Sequence, residues 1–105
     1  MHVLIGDIGN TVTKICLVET RTFKVKKIIY FNSNGITINN FLKKEIKKIL
    51  SSKEIVKFAL FSSVVPRYLM LIKRLLKKTY KIQLREIKES SVNKLIKVNI
   101  KNKNQ

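Results

Sequence analysis

Short apolar runs separated by polar residues occupy the first third of the chain, a pattern typical of β-strands. Two short strands are predicted at residues 2–6 and 14–19, on either side of a polar turn, and a third from Phe23 to Phe31. The first two are expected to form an antiparallel hairpin. The segment Asn32-Ser33-Asn34-Gly35 then reads as a turn or loop, because all four residues favour turns.

Two later segments change to the period of an α-helix. The first runs from Asn39 to Leu50, with its lysines on the face opposite the apolar residues Leu42, Ile46, Ile49 and Leu50. The second begins at Pro66, whose missing N–H is tolerated in the first turn of a helix. Its apolar positions recur at helical spacing as far as Thr79 or Tyr80: Leu69, Ile72, Leu75 and Leu76.

Three more segments resemble strands. Ile55 to Phe61 is nearly continuously apolar, which predicts a central strand covered on both faces. Ile82 and Leu84 alternate with polar residues and predict a fifth strand nearer an edge, and a final strand is predicted at Ile96, Val98 and Ile100. The order βββαβαβ plus a final strand predicts an α/β fold, with a mixed five- or six-stranded sheet and flanking helices.

Length and composition exclude several classes of protein. The chain of 105 residues is 45% apolar and suits one compact domain. No stretch approaches the roughly 20 apolar residues of a membrane-spanning helix, and no signal peptide is recognisable, so we expect a cytoplasmic protein. The single Cys16 excludes an internal disulfide and is expected to be a small core residue.

A formal net charge of +17 makes a nucleic-acid-binding domain one alternative. However, lysines outnumber arginines about five to one, and Lys, Ile and Asn make up roughly two fifths of the chain. These amino acids have A/T-rich codons, so a biased genome explains the excess. The lysines are also spread along the whole chain. We therefore interpret them as a solvated surface.

The polar turn between the first two strands carries the most distinctive chemistry. Asp7, the only aspartate, stands where a strand would end and offers a hard oxygen ligand for Mg²⁺. Gly9 allows close approach and a positive φ, so backbone N–H groups can face phosphate oxygens. Lys14 adds a point charge. The turn is therefore interpreted as a nucleotide-phosphate hairpin.

A second polar segment, Ser62-Ser63-Val64-Val65-Pro66, follows the fourth strand. If strands one and four are neighbours, this segment lies beside Gly6–Thr11. Ligands of open α/β sheets commonly bind there, beyond the strand ends where the strand order switches. This arrangement would form a nucleotide pocket.

Together, Asp7-Ile8-Gly9-Asn10-Thr11 and Ser62-Ser63-Val64-Val65-Pro66 resemble the motifs of type III pantothenate kinases, members of the actin-like ATPase superfamily. The resemblance covers essentially the whole chain and implies one ribonuclease H-like, actin-like N-terminal lobe over residues 1–105. It implies ATP-dependent phosphorylation of pantothenate towards coenzyme A. It also implies Mg²⁺, a monovalent cation (potassium or ammonium) and a cytoplasmic homodimer.

The resemblance also implies roles for particular residues. Asp7 would organise the metal. The residues implied in nucleotide binding are Asp7, Ile8, Gly9, Asn10, Thr11, Val12, Thr13 and Lys14 in the hairpin, with Ser62 and Ser63 lining the same cleft.

The chain departs from the family at its end. The family continues into a Gly-Ala-Asp-Arg motif that holds the general base and contacts pantothenate, and this sequence contains no such motif. Val98-Asn99-Ile100-Lys101 resembles the strand just before it, with Asn102 in place of a substrate-contacting tyrosine. Since the resemblance is to one lobe only, we expect the chain alone to be inactive or nearly so and assign no catalytic residue. A non-catalytic nucleotide-binding or regulatory module is the other alternative.

Overall fold

Five strands form one sheet in the computed structural model, which describes residues 1–50, 53–88, 90 and 91. The strands are β1 (His2–Ile8), β2 (Val12–Glu19), β3 (Val25–Asn32), β4 (Val56–Ser63) and β5 (Gln83–Glu86). A short 3₁₀ helix spans Ser33–Thr37, and the α-helices are α1 (Phe41–Ile49) and α2 (Pro66–Tyr80). The predicted α/β fold, a mixed sheet with flanking helices, is confirmed.

The order of the strands in the sheet is β3-β2-β1-β4-β5. β1 pairs antiparallel with β2 and parallel with β4. β2 and β3 are antiparallel, whereas β4 and β5 are parallel. The prediction that the first and fourth strands are neighbours is therefore confirmed, and β5 lies at an edge as expected.

Both α-helices pack on one face of the sheet. Their buried side chains join alternate strand residues in the main core: Leu42, Ile46 and Ile49 of α1, Leu69, Ile72 and Leu76 of α2, and Leu4, Ile8, Ile15, Leu17, Ala59 and Phe61 of the sheet. A smaller cluster of Ile5, Cys16 and Val18 lies on the other face, and the burial of Cys16 confirms its predicted core position. Residues that alternate along β1 and β2 thus serve two separate clusters, as the two-residue period requires.

The hairpin strands are longer than predicted. β1 reaches Ile8 and β2 begins at Val12, so the connecting loop shrinks to residues 9–11. The reason is that pairing continues through Asp7↔Lys14 and Ile8↔Thr13, since the backbone ladder forms whether the side chains are polar or apolar.

Two further boundaries shift at residues with left-handed backbone. Phe23 has φ 59° and its N–H donates to the Glu19 carbonyl, so it belongs to the turn before β3. Asn40 has φ 68°, and α1 therefore begins at Phe41.

The expectation that β4 is covered on both faces is wrong. Ala59 and Phe61 are fully buried towards the helices, but Phe58 is 53% exposed. A run of apolar residues cannot show which face is solvated. The strand predicted at Ile96–Ile100 lies outside the described residues. Among the residues that are described, no helix combines the length and the apolarity needed to cross a membrane.

Candidate functional site

Three polar side chains stand side by side on the three central strands. Asp7 of β1 pairs with Lys14 of β2 on one side and with Ser62 of β4 on the other. Directly paired residues point to the same face of a sheet. The structure therefore places an aspartate, a lysine and a serine from the two segments singled out in the sequence at adjacent positions of the sheet.

The carboxylate of Asp7 is oriented by a hydrogen bond. The Oγ of Ser62 donates to Oδ1 of Asp7 at 2.9 Å. Ser62 is only 2% exposed, while Asp7 and Lys14 are half-buried. A carboxylate has further acceptor sites beyond this one bond. Asp7 is thus held in one orientation and can still accept a metal, a water molecule or a donor from a ligand.

The loop that joins β1 to β2, residues 9–11, offers further donors, which are backbone N–H groups. The Gly9 N–H donates to the Val12 carbonyl at 3.0 Å, so it serves the turn itself and not a ligand. Asn10 and Thr11 are exposed. Among the described residues their two N–H groups have no acceptor. These two amides could therefore donate to an anion.

Gly9 is required for space and not for an unusual backbone angle. The expected positive φ is wrong, because no glycine of the described chain has one. A Cβ on Gly9 would lie 2.9 Å from the Val12 carbonyl oxygen, closer than real Cβ contacts come. The close approach of the two strands therefore explains the glycine.

The side chain of Thr13 points into the protein and is not exposed at the loop surface. Its side chain is fully buried, and its Oγ1 is 2.7 Å from the Oγ of Ser33. The family resemblance implies that Thr13 contacts the nucleotide, whereas in the structure its hydroxyl is hydrogen-bonded to Ser33 inside the protein.

Ser33 is the residue that the sequence reasoning missed. It is fully buried, its Oγ donates to the Gly9 carbonyl at 2.7 Å, and its N–H donates to the Thr11 carbonyl at 2.8 Å. In the sequence it is one of four turn-forming residues, and nothing local distinguishes it. Its side-chain partners lie 20 and 24 positions away, at Thr13 and Gly9.

Among the remaining predicted residues, Ile8 and Ser63 make hydrogen bonds within the protein. Ile8 is fully buried, and its carbonyl accepts the Val64 N–H at 3.1 Å. Val12 is 48% exposed beside the loop. The hydroxyl of Ser63 donates to the Val65 carbonyl at 2.8 Å and accepts the Val65 N–H at 3.0 Å, which shapes the entry into α2.

The donor set fits Mg²⁺ carried by phosphates and not a cage made by the protein alone. Within the described residues no group of three or more His, Cys, Asp or Glu side chains is placed to hold a metal. Mg²⁺ usually keeps several waters and needs only one or two carboxylates together with phosphate oxygens. A single oriented carboxylate beside a lysine and two exposed amides matches that pattern.

The chain is similar in sequence to known proteins of one family. The sequence model of the type III pantothenate kinase family matches residues 3–105. A type III pantothenate kinase of Pelagibacter ubique (strain HTCC1062) is 40% identical over 98 residues, which cover 93% of this chain and 39% of that protein. The chain thus spans about two fifths of that relative's length.

Among solved structures, the chain resembles a Ppx/GppA family member of Aquifex aeolicus, with 13% identity and a TM-score of 0.41. The likeness covers 87% of this chain and 36% of the other. A TM-score this low supports no conclusion about function. The family match is of another kind, because it includes both the hairpin and the segment after β4. It confirms the resemblance seen in the two motifs: the chain belongs to the type III pantothenate kinase family.

Proposed function

We propose that this chain is the phosphate-binding, actin-like N-terminal lobe of a type III pantothenate kinase, comprising residues 1–105. The observation that carries the proposal is the Asp7–Ser62 hydrogen bond, which orients a carboxylate at the end of β1, shortly before the exposed loop residues Asn10 and Thr11. The ligand of this lobe is the phosphate chain of Mg-ATP.

Each group at the site has a distinct part in binding. The amides of Asn10 and Thr11 donate to phosphate oxygens, and Lys14 adds a positive charge beside them. Asp7 binds magnesium or its water shell. Magnesium, when bound, neutralises charge on the phosphates.

Pantothenate phosphorylation, the monovalent cation and the homodimer are proposals for the whole enzyme, because the chain spans 39% of its relative. Phosphoryl transfer depends on positioning and on electrostatic stabilisation from groups on both sides of the reacting phosphate. Asp7 is the only aspartate of this chain, and we assign it to the metal. The Gly-Ala-Asp-Arg motif, whose aspartate the resemblance implies to be the general base for the pantothenate hydroxyl, does not occur in this sequence. The lobe alone is therefore expected to bind nucleotide without transferring phosphate.

Calorimetric titration with Mg-ATP tests the binding. Asp7→Ala is expected to weaken it by about tenfold or more, because a charged contact of roughly 1.5–3 kcal/mol is lost. Glu19→Gln is the matched control, since it removes one negative charge at the far end of β2. Equal affinity in wild type and Asp7→Ala, or no binding by the wild-type chain, would contradict the proposal.

Incubation with ATP, Mg²⁺ and pantothenate tests the absence of turnover. ADP formation is expected to stay at the level of a reaction without protein. Turnover clearly above that level would show that one lobe suffices.

Binding without turnover is also the property of a regulatory nucleotide-binding module. Nucleic-acid binding with a steep salt dependence, and with no response to nucleotide, would instead favour the nucleic-acid alternative.

A further inference from the structure

We propose that Ser33 is a positioning residue that holds the hairpin loop, residues 9–11, in the shape that binds phosphate. The inference rests on the proposed function, because it concerns the same loop. Ser33 itself is fully buried, so its side chain is not placed to contact a phosphate directly. Its effect on the ligand is transmitted through the loop backbone.

Ser33 contacts the loop at two carbonyl groups. Its Oγ donates to the Gly9 carbonyl at 2.7 Å, and its backbone N–H donates to the Thr11 carbonyl at 2.8 Å. A hydroxyl has one proton to donate, and that of Ser33 is used on Gly9. The hydroxyl of Thr13, 2.7 Å away, must therefore be the donor in the Thr13–Ser33 bond.

These bonds set the direction of the Asn10 amide. A trans peptide is planar, and its C=O and N–H point in opposite directions. When Ser33 holds the Gly9 carbonyl towards itself, the Asn10 N–H of the same peptide points away from Ser33. The bond to the Thr11 carbonyl fixes a second peptide plane, that between Thr11 and Val12. The loop therefore presents the Asn10 donor in a fixed direction before any ligand arrives.

Burial makes the arrangement sensitive to the Ser33 hydroxyl. Ser33 and Thr13 are both fully buried. Without the Ser33 hydroxyl, the Gly9 carbonyl loses its donor and the Thr13 hydroxyl loses its acceptor. Buried polar groups without partners are unfavourable, so the loop would rearrange to find others.

The test compares Ser33→Ala with Thr37→Ala by amide hydrogen exchange and by Mg-ATP titration. Thr37 is the matched control, because its Oγ1 donates to the Asn34 carbonyl at 3.0 Å in the same short helix, and neither group belongs to the hairpin. In Ser33→Ala the Gly9 amide is expected to exchange about tenfold faster, and Mg-ATP to bind about tenfold more weakly. Thr37→Ala should stay within about twofold of wild type in both measurements.

Two further variants separate positioning from general loss of structure. Ser33→Thr keeps the hydroxyl and should restore much of the affinity. Thr13→Val keeps the Ser33–Gly9 bond, so it should affect the loop less than Ser33→Ala and more than Thr37→Ala. Exchange of the Leu4 and Ala59 amides, in the centre of the sheet, reports the global stability of each variant. If Ser33→Ala does not fold, Thr13→Val is compared with wild type and with Ser33→Thr: faster exchange at Gly9 and weaker Mg-ATP binding in Thr13→Val alone support the inference, and values within about twofold of wild type contradict it.

The outcomes distinguish this inference from the proposed function. If wild type binds Mg-ATP and a folded Ser33→Ala binds within about twofold of it, the role of Ser33 is wrong while nucleotide binding stands. If wild type does not bind, the proposed function and the phosphate role of the loop both fall. Exchange at Gly9 then shows only whether Ser33 fixes the loop.

Discussion

At the end of β4, the hydroxyl of Ser62 is almost fully buried and donates to the Asp7 carboxylate at 2.9 Å. The two residues are 55 positions apart and meet because β1 and β4 are parallel neighbours. Ser62 acts on the site by fixing the direction in which Asp7 faces.

Ser62→Ala removes that bond and should weaken Mg-ATP binding by roughly tenfold, while unfolding free energy falls by only about 1 kcal/mol. The affinity falls because the unrestrained carboxylate must be ordered when the ligand binds. Calorimetry and urea unfolding measure the two effects. Ser62→Thr keeps the hydroxyl and serves as the control. A large loss of stability with unchanged affinity would show that Ser62 is a packing residue only.

At the opposite end of β2, Glu19 accepts hydrogen bonds from the amides of Arg21 and Thr22. Desolvation raises the pKa of the Glu19 carboxyl, but these bonds and the positive charges of the N-terminus and Arg21 outweigh it, so the pKa is lowered overall. A folded-state pKa below the unfolded value means that the carboxylate stabilises the fold above the unfolded pKa. That contribution is lost as the pH falls through the folded pKa.

The melting temperature of Glu19→Gln relative to wild type should therefore depend on pH. Wild type is expected to be the more stable near neutral pH, and the difference should shrink as the pH falls from about 5 to about 3. Melting curves of both proteins across this range provide the measurement. A difference that does not change with pH would mean that the carboxylate charge has no part in the turn.

Among the secondary-structure elements, β1 and β4 are paired so that Gly6 lies opposite Phe61 in the parallel register. A Cβ on Gly6 would lie 2.2 Å from Cε2 of Phe61, so the ring occupies the space that a side chain would need. Both residues are buried, and Phe61 has no exposed surface.

Gly6→Ala is expected to lower the free energy of unfolding by about 1–3 kcal/mol, as overpacking does in a close-packed core. The double variant Gly6→Ala, Phe61→Leu should lose less than the sum of the two single variants, because the smaller side chain leaves room for the methyl group. Urea unfolding of the four proteins measures the coupling. Additive losses would show that the ring and the methyl group do not compete for space.

Sequence patterns predicted the interiors of these elements better than their ends. Short apolar runs identified β1 and β2, but Asp7 and Ile8 still pair in the ladder although their surroundings indicated a turn. Composition marks residues that can form turns, whereas pairing is decided by the partner strand. The same limit applies to the site. Asp7, Lys14 and Ser62 lie in recognisable motifs, while Ser33 acquires its role only from contacts formed by folding.

Across the whole molecule, a formal net charge of +17 on 105 residues means that like charges repel throughout the surface. The lysines of α1 and α2 lie on their exposed faces, as predicted, which spreads these charges without burying them. Salt screens such repulsion over distances of about 10 Å at 0.1 M.

Raising NaCl from about 20 mM to about 200 mM should therefore increase the melting temperature, since the folded state concentrates charge more than the unfolded chain does. Differential scanning calorimetry measures the shift, with sucrose at equal osmolality as the control for non-electrostatic effects. A melting temperature that stays constant or falls with salt would show that self-repulsion does not limit stability.

The parallel pairing of β1 with β4 also affects the order of events in folding. Hairpin contacts such as Asp7–Lys14 are local, but β3, the 3₁₀ helix and α1 lie between Asp7 and Ser62 along the chain. Contacts of such high sequence separation form late and slow the folding of a domain. A nucleotide that binds across this junction would require both strands in place, so it would act as a ligand of the native state and not of the unfolded chain.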